Sequence, residues 1–171
     1  FLNGCMYIGQ HRFEGGRIGE TASYGISDQL ASLGIPSERM KTVTPPRLDI
    51  RSIDLGLLVR QEGDPSPARF SFLDVPSAVQ ASGSQMDCFL LHTNEKVHEI
   101  LRTGFDRSPL FTGMIQGKGP RYCPSIEDKL RVFPDNPAHQ LFLEPEGRNN
   151  DEYYLQGFSS SLPLDVQLEA L

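Results

Sequence analysis

A loop leading into a helix is predicted by the stretch Gly117-Lys118-Gly119-Pro120-Arg121-Tyr122-Cys123-Pro124-Ser125-Ile126-Glu127-Asp128-Lys129. Glycine and proline favour a loop up to Cys123, and Pro124 is a residue type favoured at the first position of a helix. Glu127 and Asp128 would then complement the positive end of the helix dipole. We therefore predict that Cys123 lies at, or just before, a helix N-terminus.

The position of Cys123 favours reactive chemistry. A helix N-terminus and nearby cations such as Arg121 and Lys129 stabilise a thiolate, so Cys123 is a candidate nucleophile or redox thiol. A buried, inert cysteine is the alternative. Backbone N–H groups at a helix start also bind phosphate or pyrophosphate, so the same loop is a candidate nucleotide site.

On the C-terminal side of this loop, alternating strand and turn signals continue to the end of the chain. Residues 139–143 predict a buried strand that ends in a turn at residues 144–147. The two carboxylates of that turn are either an acid/base pair or a solvated acidic turn. Residues 153–155 predict another strand, and the hydroxyls of residues 159–161 are expected to cap a final helix.

On the N-terminal side, residues 1–9 predict a strand or a strand pair. The Gly-rich segment 14–20 is either a ligand loop or a surface turn. Residues 27–34 predict a short helix with Ser27 as N-cap and Gly34 as its stop. The basic, proline-stiffened segment 39–47 is either an anion-binding loop or a solvated one.

The middle of the chain has a different composition and predicts an inserted subdomain. Short apolar runs at residues 70–73 and 88–91 indicate strands of a smaller sheet. Residues 93–102 have helical spacing of apolar positions, with a Thr or Asn cap before them and Gly104 after them. His98 is expected on the solvent side of this helix.

The composition is that of a globular protein. The chain has 171 residues, 38% apolar and 22% charged, and its net charge of −6 argues against binding nucleic acid through the overall field, so any RNA contact must be local. No apolar run or leader suggests a membrane segment, and we expect a soluble, cytoplasmic protein. The three widely spaced cysteines are expected to be reduced, and the four histidines show no zinc-binding spacing.

Ordered motifs along the whole chain resemble the MnmG (GidA) family of bacterial flavoproteins, which modify the wobble uridine of tRNA. The motifs are Phe1-Leu2-Asn3-Gly4, Gly15-Gly16-Arg17, Gly19-Glu20, Lys41-Thr42, Thr44-Pro45-Pro46-Arg47, His92-Thr93-Asn94-Glu95-Lys96, Asp106-Arg107-Ser108-Pro109, the stretch from Gly119 to Lys129, Leu143-Glu144-Pro145-Glu146-Gly147, Ser161-Leu162-Pro163 and Asp165-Val166-Gln167.

The resemblance implies an α/β fold that is part of a glutathione-reductase-like, Rossmann-type FAD domain with a mixed α/β insertion. Residues 1–49 and 119–171 would belong to the FAD-binding domain, and residues 50–118 to the inserted subdomain. It also implies FAD as cofactor, NADH as reductant and methylene-tetrahydrofolate as one-carbon donor. The implied partners are tRNA, the GTPase MnmE and a second copy in a homodimer. Together these would add an aminomethyl or carboxymethylaminomethyl group at C5 of the wobble uridine.

The resemblance also carries over to single residues. Cys123 matches a cysteine that the family needs for activity, and Ser23 matches a serine assigned to FAD contact. In the Gly-rich loop we expect Gly16, Arg17 and Gly19 to contact cofactor. The segment matching the family's nicotinamide-nucleotide segment comprises Gly119, Pro120, Arg121, Tyr122, Cys123, Pro124, Ser125, Ile126, Glu127, Asp128, Lys129, Leu130, Arg131, Val132 and Phe133.

Two departures from the family pattern matter. Val43 stands where the family usually has glycine, and a β-branched residue takes a positive φ only with strain. The chain also lacks a GxGxxG strand–helix unit, a second family cysteine and a C-terminal helical region. We therefore expect an internal fragment that alone neither holds FAD tightly nor catalyses.

Two other functions remain open. One is a folate- and FAD-dependent tRNA uridine methyltransferase, a relative with a similar flavin core. The other is a non-catalytic module in which Arg and Lys residues of the insertion dock tRNA phosphates.

Overall fold

A computed structural model describes residues 1–66, 69, 71–77, 85–120 and 122–171. Predictions that rest on Phe70, on residues 78–84 or on Arg121 lie outside the described residues. The fold is mixed α/β, as predicted, and the chain divides into two compact units. The first, the helical unit, comprises Phe1–Thr44, Asn94–Asn136 and Ser159–Leu171. The second, the sheet unit, comprises Pro45–Thr93 and Pro137–Phe158.

The described residues of the helical unit form a β-hairpin and four α-helices. The hairpin pairs β1 (Cys5–Ile8) antiparallel to β2 (His11–Glu14), and the helices are α1 (Ile26–Ser32), α2 (Glu95–Arg102), α3 (Ile126–Val132) and α4 (Leu164–Ala170). Helix α2 packs against both α3 and α4. The apolar core of this unit consists of Leu101, Ile126, Leu130, Leu162, Val166 and Ala170.

Helix α2 confirms the predicted cap and corrects the predicted position of His98. The side chain of Asn94 accepts a hydrogen bond from the Val97 N–H at 3.0 Å, so Asn94 is the N-cap. His98, expected in solvent, is fully buried. It precedes the fully buried Leu101 by three residues, and residues at this spacing share one face of a helix.

The described residues of the sheet unit form a five-stranded antiparallel sheet. Its strands are β3 (Arg47–Asp49), β4 (Val59–Gln61), β5 (Cys88–His92), β6 (Gln140–Pro145) and β7 (Glu152–Gln156), in the order β3-β7-β6-β5-β4. In the central strand, Leu141 and Leu143 are buried because alternate residues point to the same face. Leu143 lies opposite Phe89 on one side and Leu155 on the other, so three strands share one apolar row.

The strand predictions are correct for β5, β6 and β7, and residues 1–9 contain the predicted strand as β1, although its hairpin partner β2 lies beyond them. The prediction for the run at residues 70–73 is wrong over its described part. Residues 71–73, the described part of the run predicted as a strand, form no strand. The sheet is completed instead by β3 and β4, which have three residues each. Strand β6 continues to Pro145, where a turn was expected from residue 144. Strands β3 and β4 were not predicted because three residues are too few for an alternating pattern to be recognised.

Two predicted helix caps are also wrong. Helix α1 begins after Gly25, which takes φ +84 and leaves Ser27 inside the helix. Helix α4 begins after Pro163 without a side-chain cap, because the Ser161 hydroxyl binds Glu127 instead. The predicted stop of α1 is confirmed by Gly34, which follows the helix with φ +74.

The domain boundaries predicted at residues 50 and 118 remain a prediction. The sheet takes β3 and β4 from opposite sides of residue 50, and the compact units divide the chain at other positions. Both sheets are antiparallel. Among the described residues, parallel pairing is confined to two isolated bridges, Leu2 with Ser23 and Met40 with Lys118.

Candidate active site

Two loops that the sequence presents separately lie side by side in the helical unit. We call residues 39–44 and the described residues of 117–123, namely 117–120 and 122–123, the paired loops. The Lys41 N–H donates to the Lys118 carbonyl at 3.0 Å, and Met40 forms a parallel bridge with Lys118. Gly117 has φ +111, and a Cβ on it would lie 3.0 Å from the Arg39 carbonyl oxygen. Glycine at position 117 is therefore required for this close approach.

Gly119 provides the second close contact between the paired loops. A Cβ at this position would lie 3.4 Å from Cε of Lys41, so the side chain of Lys41 runs over the glycine. The lysine stem is thereby half-buried while its ammonium group can stay in water.

Cys123 is exposed at the end of the second paired loop. Its Sγ lies 3.8 Å from Oγ1 of Thr42, and either atom can be the donor. The preceding Tyr122 has φ +64, in the left-handed region that residues other than glycine seldom adopt. The structure therefore excludes the buried, inert cysteine and offers a free thiol beside a hydroxyl group.

Cys123 lies outside helix α3, two residues before its N-cap Ser125. The side chain of Ser125 accepts from the Asp128 N–H at 3.0 Å, and the Ile126 N–H donates to the Ser159 carbonyl at 2.7 Å. Pro124 therefore precedes the N-cap. The prediction that Pro124 occupies the first position of the helix is wrong. Both of these backbone donors, which could have bound phosphate, already have protein partners.

The predicted nicotinamide segment divides into an exposed part and a buried part. Ser125, Ile126, Glu127 and Leu130 are buried, and Asp128 and Lys129 are half-buried. The exposed members are Gly119, Pro120, Tyr122, Cys123, Pro124, Arg131, Val132 and Phe133. Arg131 pairs with Asp128 at 2.9 Å and stacks over the Phe111 ring. Among the described residues, side-chain contacts to a ligand would therefore come mainly from residues 119–120 and 122–124.

The Gly-rich loop is also only partly open. A Cβ on Gly16 would overlap the Phe1 ring, so this glycine is filled by the chain itself. Gly19, at φ +86, has nothing within 4 Å of a built Cβ. Ser23 is exposed, and its carbonyl accepts from the Asn3 N–H at 2.8 Å. The Arg17 carbonyl accepts from the Glu20 N–H at 3.1 Å, which closes the loop.

The loop containing Val43 does not need the positive φ that glycine would permit. Among the described residues other than glycine, only Asn3 and Tyr122 have positive φ. Val43 therefore fits this loop without backbone strain.

Cys5 is a second reactive group, which the sequence analysis did not single out. Nη2 of Arg39 donates to Cys5 Sγ at 3.3 Å, and the thiol lies 3.8 Å from Oη of Tyr7. Burial raises the pKa of the Cys5 thiol, but hydrogen bonds with Tyr7 and Arg12 and the charges of Arg39 and Arg12 outweigh it, so the pKa is lowered. The alternation of Cys5 and Tyr7 on one strand face was the available signal.

No group of residues in the described ranges could hold a metal ion. In the same ranges, no helix is long and apolar enough to cross a lipid bilayer.

Comparison with known proteins gives consistent matches over the full chain. The family model described as Glucose inhibited division protein A matches residues 1–171. The chain is 56% identical to the tRNA uridine 5-carboxymethylaminomethyl modification enzyme MnmG of Salinibacter ruber, covering 100% of this chain and 26% of that protein. It is 55% identical to the MnmG of Porphyromonas gingivalis, covering 100% of this chain and 27% of the relative. The chain thus spans about a quarter of the length of these curated relatives.

Comparison with solved structures matches the same family. The crystal form I structure of Aquifex aeolicus GidA superposes with a TM-score of 0.79 at 45% identity, over 99% of this chain and 29% of that one. The form II structure gives a TM-score of 0.77 at 42% identity.

Proposed function

Because the chain belongs to the Glucose inhibited division protein A family, we propose that it is part of a flavin-dependent, cytoplasmic enzyme that modifies the wobble uridine of tRNA. In this reaction a homodimer of the full-length protein, together with the GTPase MnmE, adds an aminomethyl or carboxymethylaminomethyl group at C5 of the uridine. The names of the relatives support the reaction class. The observation that carries the proposal is the exposed Cys123 thiol on the paired loops.

Cys123 is the proposed nucleophile. C5 of uridine does not react with an electrophilic carbon on its own, but addition of a thiolate at the neighbouring C6 makes C5 nucleophilic. An exposed thiol can reach a base that has left its stack, as enzymes acting on nucleobases require. The Thr42 hydroxyl lies 3.8 Å from Cys123 Sγ and can accept a hydrogen bond from the thiol or donate one to the thiolate.

The described residues leave room for the expected cofactors. Gly19 is open and Ser23 is exposed, so both can approach FAD, whereas Gly16 is filled by Phe1 and contributes to the shape of the loop. Arg17 would add a cation to this loop. Residues 119–124 are the part of the nicotinamide segment that can contact NADH. When bound, FAD and NADH supply the reducing equivalents for the one-carbon unit that methylene-tetrahydrofolate carries.

Binding of tRNA is supported by the cations near the thiol. Arg39, Lys41 and Lys118 all lie on the paired loops, in a chain whose net charge is −6. Lysine and arginine that contact phosphates position a nucleic acid without reading its sequence. The paired loops thus offer the local contact that the overall charge requires.

The test replaces the thiol in the full-length protein. We expect Cys123→Ser to abolish the modification at C5, measured by mass spectrometry of nucleosides from tRNA incubated with MnmE and the cofactors. Cys88→Ser, at a cysteine of the sheet unit, should leave the product unchanged. Full modification by Cys123→Ser would contradict the proposal, and 5-methyluridine as the product would instead identify the related methyltransferase.

A further inference from the structure

Glu127 is a fully buried carboxyl group whose Oε1 is hydrogen-bonded, whereas its Oε2 has no hydrogen-bond partner among the described residues. Its Oε1 accepts from the N–H of Ser161 at 3.0 Å and from the Ser161 hydroxyl at 2.9 Å. Burial raises the pKa of Glu127, and the hydrogen bonds from Ser161 oppose this effect. The sequence predicts Glu127 in the first turn of the helix, where the structure places it, but does not indicate that its side chain is buried.

The partners of Glu127 connect three segments of the helical unit. The Ser161 carbonyl accepts from the Gly9 N–H at 2.8 Å, which joins residues 159–161 to the turn of the hairpin. The Ile126 N–H donates to the Ser159 carbonyl at 2.7 Å. The first turn of α3 is therefore fixed to segment 159–161 both through the backbone and through the Glu127 side chain.

The start of α3 in turn determines where Cys123 lies. Only Pro124 and the N-cap Ser125 separate the thiol-bearing residue from the helix. Proline fixes its own φ and restricts the residue before it, so the connection from Cys123 to the helix is stiff. A shift of the first turn of α3 would move Cys123 relative to Thr42 on the other paired loop.

A carboxyl group is a costly choice for this position. Burying an ionisable side chain is unfavourable unless its hydrogen bonds are satisfied, and an apolar residue would fill the core at lower cost. An apolar residue, however, would accept no hydrogen bond from Ser161 and would leave its buried N–H unpaired. The feature that Glu127 adds is a directional link between α3 and Ser161.

We propose that Glu127 is a positioning residue for Cys123: by binding the Ser161 N–H and hydroxyl, it fixes the first turn of α3 and holds the thiol beside Thr42. Its catalytic consequence rests on the function proposed above, whereas its effect on the position of the thiol does not. Because its side chain is fully buried, Glu127 acts through Cys123.

The test measures thiol position and activity separately in the full-length protein. The rate of alkylation of Cys123 by iodoacetamide is followed by mass spectrometry of its peptide, with Cys88 as reference within the same sample. For Glu127→Ala we expect a changed Cys123 rate, an unchanged Cys88 rate, and a kcat lower by about 10- to 100-fold at unchanged KM for tRNA. Glu127→Gln keeps an amide oxygen that can accept from Ser161, so it should restore both values to within about twofold.

The variants Ser161→Ala and Glu169→Gln complete the design. Ser161→Ala removes one of the two donors, so it should shift the Cys123 rate in the same direction by a smaller factor. Combined with Glu127→Ala it should add little, because the two side chains act as a pair. Glu169→Gln removes an exposed carboxylate from α4 and should change nothing.

Two results would overturn the proposal. One is an unchanged Cys123 rate in Glu127→Ala when circular dichroism shows a folded protein. The other is an equal change at Cys123 and Cys88, which would indicate general loosening. If Glu127→Ala does not fold, Ser161→Ala decides by the same criterion. Activity of Cys123→Ser would contradict the proposed function but would leave the alkylation test of Glu127 intact.

Discussion

At the scale of single residues, Cys5 and Cys88 are half-buried thiols in opposite electrostatic surroundings. Arg12 and Arg39 face Cys5, whereas Glu144 and Asp87 act on Cys88. Burial raises the pKa of Cys88, and these carboxylates raise it further. The thiolate is the reactive form, so similar exposure should give different reactivity.

We predict that Cys5 reacts with iodoacetamide at lower pH than Cys88. Mass spectrometry of the two peptides across a pH series would give the midpoint of each rate profile. Arg39→Gln removes the guanidinium that donates to Cys5 Sγ at 3.3 Å, so it should move the Cys5 midpoint up and leave that of Cys88 in place. Identical midpoints for the two thiols would contradict the prediction.

His98 provides a pH test of the packing around α2. Burial lowers the pKa of His98 below its usual 6.5; Glu95 raises it and Arg102 lowers it further. As the pH falls, the unfolded segment therefore binds a proton on His98 before the folded one does, which favours unfolding. The contribution of the neutral His98 to folding stability is thus fully present above pH 6.5 and is lost as the pH falls through the folded pKa. We predict that the free energy of unfolding of α2 falls by up to about 1.4 kcal/mol per pH unit between pH 6.5 and the folded pKa of His98. His98→Gln should abolish this decrease.

Hydrogen exchange of the α2 amides, corrected for intrinsic rates, measures this dependence. Glu127, in α3, serves as a control because its contribution to stability should change with pH in the opposite direction. Burial raises the pKa of Glu127 above its usual 4.5, so its contribution is present below that value and is lost as pH rises through the folded pKa. A His98→Gln profile parallel to that of the unmodified protein would contradict the assignment.

At the scale of elements, the sequence indicates those parts of the fold that depend on local chemistry. The Asn94 cap of α2, the Gly34 stop of α1 and the apolar run of β6 are all local signals, and each is confirmed. Strands β3 and β4 are held by partners distant in sequence. Their three residues predict nothing before those partners are known.

The candidate site shows the same division. Cys123 could be singled out because proline, serine and acidic residues beside it mark a helix start. Its neighbour Thr42 could not, because 81 residues separate the two and their contact depends on how the paired loops pack. The burial of His98 was predicted wrongly and that of Glu127 was not predicted, because burial depends on which face of a short helix meets the core.

Pairing of the loops depends on Gly117, and a second glycine makes a matched control. Gly113 also has a positive φ, of +79, but a Cβ there would meet nothing within 4 Å. We predict that Gly113→Ala costs about 1–2 kcal/mol from backbone strain. Gly117→Ala should cost at least about 1 kcal/mol more, because it also strikes the Arg39 carbonyl. The free energies of unfolding of the two variants can be compared by denaturant titration. Equal losses of stability in Gly113→Ala and Gly117→Ala would contradict a tight pairing of the loops.

At the scale of the whole molecule, charge distinguishes two surfaces that could hold tRNA. Three arginines that belong both to the predicted insertion and to the sheet unit are already paired: Arg51 with Asp49, Arg60 with Asp87 and Arg69 with Asp74. Within the described residues, Lys41 and Lys118 form no salt bridge. An unpaired cation releases a phosphate counterion on binding more readily than one held by a carboxylate.

We therefore predict that Lys41→Gln and Lys118→Gln each weaken tRNA binding by the full-length protein and reduce its dependence on salt. Each lost phosphate contact should lower the slope of log K against log salt by about 0.7 to 0.9. Arg69→Gln should leave the slope unchanged, because Asp74 already neutralises this arginine at 2.8 Å. A fall in slope confined to Arg69→Gln would instead place the tRNA contact on the sheet unit and would contradict the prediction.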